Sequence, residues 1–348
     1  MIDNAAIAEL LTRESETAEG HRQLAFRRAA RAAFLWPLEA HELKAAGRSL
    51  TELPGIGPSM AKRIHGWMES PPDDIEPPPI RSEFRTFAQA QRILAEQPGW
   101  RAKVKGDLQM HTEWSDGATT VRAMATAAIE RGYSYIGITD HTKGLKIAGG
   151  LDEARLAAQS REIEALNAEF KANGESFRVL RSAEMNLSPD GSGDMDSAAM
   201  RELDLVLGCF HSALRRTEDQ TARYVAAVRN PDIQIIGHPQ TRMYNRREGL
   251  HADWRRVFAE AAKLDKAFEI DGDPNRQDLR VSLLEIAREE GVRISLGTDA
   301  HHPEELAYME LSLAAACAAK IPAERIINFL PRTKLLKWIE GVREHRGA

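Results

Sequence analysis

The sequence predicts an α/β protein: a barrel of seven strands preceded by a small all-helical domain. Three observations predict it. Seven short apolar runs alternate with amphipathic stretches from about residue 104 onward. Residues 1–69 are rich in Ala, Leu and Arg and lack β-branched runs. Between the two parts, PPDDIEPPP (71–79) places five prolines in nine residues. Strand-length runs separated by helix-length amphipathic stretches are the pattern of βα units and a parallel sheet, whereas straight-chain residues without β-branching favour helix.

Taken in order, LTELPGIGPSMAKRI (50–64) interrupts the helical part. Pro54 stops one helix, Gly55 and Gly57 permit a tight hairpin, and the next helix begins near Pro58, a favoured first position. The proline-rich stretch reads as an extended, fairly stiff boundary, with a short helix over 83–97. The strand candidates are then 104–111, 133–141, 177–184, 203–211, 233–239, 267–273 and 292–301. Helices are expected over 119–131, 151–172, 218–229, 252–265 and 278–290. Gly132, Gly174 and Gly291 stand where three of them should end in a left-handed cap.

Composition bounds the function. The 348 residues carry a net charge of −5, which excludes a polycation and confines any nucleic-acid contact to a local patch. The two cysteines, Cys209 and Cys317, are far apart and form no CxxC, so no disulfide framework is expected. Cys209 is read as packing in the barrel wall and Cys317 as helix core. The chain has no apolar run of the ~18 residues a membrane span needs. Its acidic first residues do not read as a signal peptide. A cytoplasmic location without a membrane partner is the expectation; the sequence is silent on oligomeric state.

The chemistry lies in what ends each run: His111, His141, Glu184, His211, His238, Asp271, and the pair Asp299 and His301. Five of the eleven histidines are among them. In a parallel barrel the C-terminal strand ends share one mouth, where active sites form. Burying several imidazoles and carboxylates together is costly unless they are paired or hold a metal. Nitrogen and oxygen donors suit Zn, Mn or Fe.

Six motifs, in order, then resemble those of the PHP (polymerase and histidinol phosphatase) domain family: GDLQMHTEWSDG (106–117), ITDHT (138–142), AEMN (183–186), FHSA (210–213), GHPQTR (237–242) and GTDAH (297–301). The resemblance implies a distorted seven-stranded, TIM-like (β/α)7 barrel over 104–345 with two or three divalent metal ions (Mn2+, Zn2+ or Fe). Carried over motif by motif, it implies the ligands His111, Asp116, His141, Glu184, His211, His238, Asp299 and His301. Of these, Asp116, His141, Glu184 and Asp299 are the candidate catalytic residues, in a reaction where metal-activated water attacks phosphorus. One position departs from the pattern. The first motif usually opens with His-x-His, and here its first member is Gln109, a poor zinc ligand; Asp107 is placed to support the site from one layer out.

The glutamine, AGGL (148–151), EIDG (269–272) and TRMYNRR (241–247) are similar to the PHP domains of bacterial family X DNA polymerases. Residues 1–69 resemble the N-terminal domain of those enzymes, and 50–64 resembles a helix-hairpin-helix. Residues 70–103 are too few for the polymerase palm that lies between. The resemblance implies DNA as partner and Mn2+-favoured 3′–5′ exonuclease action, 3′-end cleaning and abasic-site cleavage. Gly55, Gly57 and Lys62 are the expected backbone-phosphate contacts in the hairpin. Lys143, Arg242, Arg246, Arg247 and Arg276, on loops after ligand strands, are the expected phosphate contacts at the mouth. The alternative is a small-metabolite phosphatase of histidinol-phosphatase type. An amidohydrolase would show His-x-His on the first strand and a bridging lysine, and neither is present.

Overall fold

The computed structural model describes residues 2–344, so residue 345, the expected end of the barrel, lies outside it. Among the described residues, seven strands lie side by side in chain order: β1 (Gly106–Asp107), β2 (Tyr135–Ile138), β3 (Arg178–Leu187), β4 (Leu205–Phe210), β5 (Ile235–Ile236), β6 (Ala267–Asp271) and β7 (Arg293–Gly297). Every neighbouring pair is parallel. Before the barrel come α1 (Asn4–Thr17), α2 (Gly20–Leu35), α3 (Ala40–Ala45), α4 (Pro58–Glu69), α5 (Phe87–Ala95) and α6 (Trp100–Lys103). Around and after the strands run α7 (Val121–Glu130), α8 (Glu153–Ala172), α9 (Ser197–Arg201), α10 (Thr221–Arg229), α11 (Trp254–Lys263), α12 (Val281–Glu290), α13 (Met309–Ala318) and α14 (Arg332–Glu344). The three expected cap glycines all adopt positive φ: Gly132 +78°, Gly174 +80° and Gly291 +74°.

The barrel is nearly closed, and its seam explains why β1 is shorter than its apolar run. At the mouth the edges meet: His111 N–H donates to Ala300 O (2.8 Å) and Asp299 N–H to Gln109 O (3.1 Å). Lower down, buried Asn328 takes the place of a ladder, donating through Nδ2 to Gly106 O and Leu296 O and accepting from Leu296 N–H. β5 stops early because His238, two residues past it, has φ +25°.

Side chains alternate along a strand, so Leu205, Leu207, Cys209 and His211 share one face. The interior is therefore apolar at one end and polar at the other. Leu108, Tyr135, Leu180, Leu205, Leu207, Ile235 and Ala267 pack with Leu335, Trp338 and Ile339 of α14, which plugs the end where the strands begin. The donor residues occupy the opposite end.

The N-terminal helices build their own core from Ile7, Leu11, Phe26, Phe34, Trp36 and Ile64. That core also takes in Tyr244, from the loop after β5. The proline-rich stretch has no regular structure up to residue 78, yet it is pinned: Arg13 donates to Asp74 O and Glu76 O, each at 2.8 Å. The short helix starts later than expected, at Phe87, because Thr86 and Gln89 form a capping box there.

Candidate metal centre

Glu184 is the hub. It lies on β3, is fully buried, and its two oxygens face different partners. Oε1 lies 2.8 Å from His211 Nε2, 3.0 Å from His238 Nε2 and 3.6 Å from His141 Nδ1. Oε2 lies 3.3 Å from His111 Nε2 and accepts from Gln109 Nε2 at 2.9 Å. His111 Nε2 also meets Asp299 Oδ1 at 3.0 Å. Nearer the surface, Asp116 Oδ1 lies 3.5 Å from His301 Nε2, and Oδ2 lies 3.5 Å from His141 Nε2. The His111 ring stacks on those of His141 and His301, with centroids 4.4 and 4.5 Å apart. All eight ligands expected from the sequence thus meet at one mouth. His111, Glu184 and His238 lie deep, while Asp116 and His301 are about one-third exposed.

Their donor atoms form overlapping groups, each within 4.8 Å: His111–Asp116–His141–His301, His141–Glu184–His211, Glu184–Cys209–His238 and His111–Glu184–Asp299. A cluster of orphaned atoms tests the fit. His111 Nδ1, His141 Nδ1 and His238 Nδ1 are buried without a hydrogen-bond partner, and His211 Nε2 meets Glu184 Oε1 at 2.8 Å without hydrogen-bond geometry. Buried polar atoms are seldom left so, and these four imidazole nitrogens together fit cations. Tautomers agree. His211 Nδ1 faces Asn186 Oδ1 at 3.0 Å, and His301 Nδ1 faces Asp299 O at 2.7 Å, which leaves each Nε2 turned to the site.

Electrostatics point the same way. Burial alone would push Glu184 up, but His141, His238, His111 and His211 hold it well below the usual carboxylate range. Asp299 is likewise pushed up by burial, yet Arg276 and His111 hold it down. Burial lowers His238 to about 4, so it is neutral, the form that binds metal. Burial also works against a charged His111, but Asp299 and Glu184 keep it well above the ordinary imidazole value. Two of the expected ligands, His238 (φ +25°) and Asp299 (φ +53°), occupy the left-handed region, where strain commonly accompanies function.

The supporting residues were less visible in the sequence. Asp140 accepts from Thr112 N–H and Oγ1, Ser115 Oγ and Gln159 Nε2, and so fixes the loop that carries Asp116. Its place beside His141 in ITDHT was the available signal. Glu269 accepts the His238 N–H at 2.7 Å, and burial pushes its carboxyl well up, toward the neutral form. Gly297 leaves room for it: a Cβ there would lie 2.0 Å from Glu269 Oε1 and force that carboxyl to shift. Asp107 accepts from Thr298 Oγ1 (2.6 Å) and from Gln109 N–H (3.1 Å), supporting both edges of the seam. Gln109 gives its amide to Glu184 and leaves Oε1 orphaned. Placing a histidine at the first position of the pair with Gln109→His is expected to tighten metal binding by roughly 10-fold, about 1.4 kcal/mol; titration of the metal-free protein checks this.

One expected contact, Arg242, needs correction, and two other placements gain detail. Cys209 packs in the barrel wall as expected, buried beside Leu205 and Leu207, and its sulfur also lies among the Glu184 and His238 donors. Arg242 is not a phosphate contact at the mouth. It is 1% exposed, its guanidinium stacks 3.9 Å from the Phe84 ring, and Nη2 donates to Ser82 O. Lys143 is engaged with Glu153 at 2.6 Å. By contrast, Arg276 reaches the centre, with Nε 3.1 Å from Asp299 Oδ2 and 3.6 Å from Asp271 Oδ2. Arg246 is exposed, and half-buried Arg247 donates through Nε to Thr241 O.

A parallel β/α barrel with this donor cluster at its mouth is the build of a metal-binding hydrolase. Residues 107–272 match the family model described as PHP domain. The barrel therefore holds a PHP domain over those residues. It is 38% identical over 256 residues to "DNA polymerase/3'-5' exonuclease PolX" of Bacillus subtilis, a match spanning 72% of this chain but only 43% of that relative. It is 27% identical over 217 residues to a "Probable phosphatase" of Caldicellulosiruptor bescii, covering 59% of this chain and 82% of the relative. Among solved structures it is similar to a histidinol phosphate phosphatase of Lactococcus lactis complexed with zinc, L-histidinol and phosphate. That match has 18% identity and TM-score 0.41 and covers 70% of this chain and 94% of the other, a likeness too distant to bear on mechanism. No described helix is long and apolar enough to cross a membrane.

Proposed function

We propose that the chain is a metal-dependent phosphoesterase acting on DNA 3′ ends, by 3′–5′ exonuclease action, removal of 3′ blocks or cleavage at abasic sites. The observation that carries this reading is a glycine hairpin at Gly55–Gly57, in a helical unit fastened to the loops around the donor cluster. Residues 1–69 form the DNA-binding part, 70–103 the connection and 104–345 the phosphoesterase. In the hairpin, Gly55 has φ +80°, and Gly57 precedes α4 without a capping side chain, leaving amides for a backbone phosphate. Lys62 is exposed one turn further on, and Arg27, Arg28 and Arg31 are exposed on α2. Arg63 is tied to Glu14 at 2.5 Å. Such contacts position DNA without reading its sequence. The identity to a relative named as a 3′–5′ exonuclease supports the same substrate class.

Two or three manganese or zinc ions held by the eight ligands would supply phosphoryl polarisation and lower the pKa of water. The chain's own residues do the rest. Glu184 spans the deep donor groups; Asp116, His141 and His301 form the exposed group the substrate meets first. Arg276 holds a phosphate oxygen beside Asp299, and Arg246 and Arg247 on the rim take neighbouring phosphates. A panel of end-labelled single-stranded, 3′-recessed and abasic DNAs with Mn2+, Zn2+ or Mg2+, run beside His238→Ala, tests the reading. Shortening from 3′ ends is expected, weakening with salt as phosphate contacts do and lost in the variant. The phosphatase-named relative favours a second reading, a small-metabolite phosphatase. Turnover of histidinol phosphate with no DNA cleavage would establish it against the first.

A further inference from the structure

The residues on either side of Arg276 are both tied to the N-terminal part of the chain. On one side, Asn275 O accepts from Tyr244 N–H at 2.7 Å. The Tyr244 ring sits in the helical core, edge-on to Phe34 (4.9 Å) and Phe84 (5.1 Å), with its hydroxyl 3.0 Å from Thr12 Oγ1. On the other side, the Gln277 amide clasps the backbone of Arg85. Its Oε1 accepts from Arg85 N–H at 2.8 Å and its Nε2 donates to Arg85 O at 2.7 Å. Next along, Asp278 accepts from the backbone N–H groups of Gln240 and Arg242, and the Arg242 guanidinium lies on Phe84. Arg81 completes the clamp: buried, it pairs with Glu9 and Glu16 of α1 and donates to Asn245 beside Tyr244. Gln277 (φ +41°) holds a left-handed backbone conformation that is uncommon for a glutamine.

We infer that the N-terminal helices and the connection packed on them are a component of the hydrolytic centre as well as a DNA grip: through Tyr244 and Gln277 they hold the 273–278 loop so that Arg276 meets the reacting phosphate beside Asp299. Tyr244 and Gln277 are positioning residues. They lie outside the donor groups and act through Arg276. The inference rests on the phosphoesterase reading with Arg276 as the phosphate contact, and on no contact with DNA. A misplacement of about 1 Å in such a group can lower a rate on the order of 100-fold.

The test uses a substrate too small to reach the hairpin, bis(4-nitrophenyl) phosphate, with the full-length protein and Mn2+. Tyr244→Ala and Gln277→Ala are expected to lower kcat/KM at least 10-fold, with the same split between kcat and KM as Arg276→Ala and with metal content unchanged. Tyr244→Phe, which keeps the ring and the backbone bond, restores the rate. In the double variants with Arg276→Ala no further loss is expected, because the positioning acts through that arginine. Gln277→Ala, which removes no core side chain, covers the case of a Tyr244→Ala protein that fails to fold. Wild-type kcat/KM in Gln277→Ala while Arg276→Ala is impaired would overturn the inference; so would multiplicative losses in the double variants. An unimpaired Arg276→Ala overturns both this inference and the role given to that arginine. Failure of the wild-type protein to hydrolyse any phosphate ester sinks the phosphoesterase reading and the inference with it.

Discussion

Glu184→Ala is expected to abolish hydrolysis and to strip most of the bound metal. Among the described residues, Glu184 is the one side chain whose carboxylate faces both the His211–His238 side and the His111 side of the centre. Removing it leaves imidazoles crowded in a buried space, with Asp299 facing only His111 among them. Residues one layer outside a metal centre typically cost 10–100-fold when replaced; a shared donor should cost more, roughly 1,000-fold or beyond. Breaking a buried ionic cluster from one side also costs about 3–5 kcal/mol, so the variant's unfolding midpoint should fall as well. Rates on bis(4-nitrophenyl) phosphate, elemental analysis and thermal unfolding together check this. A Glu184→Ala protein with full metal content and wild-type rate would show that the centre lies elsewhere.

The donor set was legible because parallel strands deliver their ends to one place, so residue type at a strand end reports position. Period-two alternation carried more than was taken from it: Cys209 and His211 share parity, which already placed the sulfur on the inward face. Loop residues were harder. Arg242 and Arg276 both follow ligand strands, and nothing local distinguishes them. One turns outward because Phe84, far away in sequence, offers its ring; the other turns inward because Asp299 and Asp271 attract it. Lys143 is drawn to Glu153 by a loop geometry that composition does not encode. The seam was equally hidden, since Asn328 substitutes for strand pairing through bonds to Gly106 and Leu296 that no periodicity announces. The proline-rich stretch was read as a boundary from its stiffness, but its anchoring depends on Arg13 and Arg81, each paired with a carboxylate of α1.

Removing metal with a chelator is expected to lower the unfolding midpoint, and by more at pH 8.5 than at pH 6. The sign follows from which groups balance the buried carboxylates once cations are gone. Burial disfavours charge on His111 and His301, but carboxylates raise both above the ordinary imidazole value: Asp299 and Glu184 for His111, chiefly Asp116 for His301. A histidine with a raised folded pKa stabilises fully below about 6.5, its unfolded value. That contribution is lost as pH rises through the raised value. Asp116, Asp299 and Glu184 are held low, so their contribution is present throughout this window and does not offset the loss. His238, lowered to about 4, works the other way only up to its unfolded value of about 6.5, so above that the metal-free protein weakens as pH rises. The loaded protein does not, because cations replace the protons and bind more tightly as imidazoles lose theirs. Each site at 100-fold excess of metal over its dissociation constant contributes about 2.7 kcal/mol. With two or more sites the gap at pH 8.5 should reach roughly 5 °C or more, closing toward pH 6. Thermal unfolding with and without EDTA across that range measures it directly. An identical midpoint in both states at pH 8.5 would mean that the imidazole nitrogens of His111, His141, His211 and His238 are not waiting for cations.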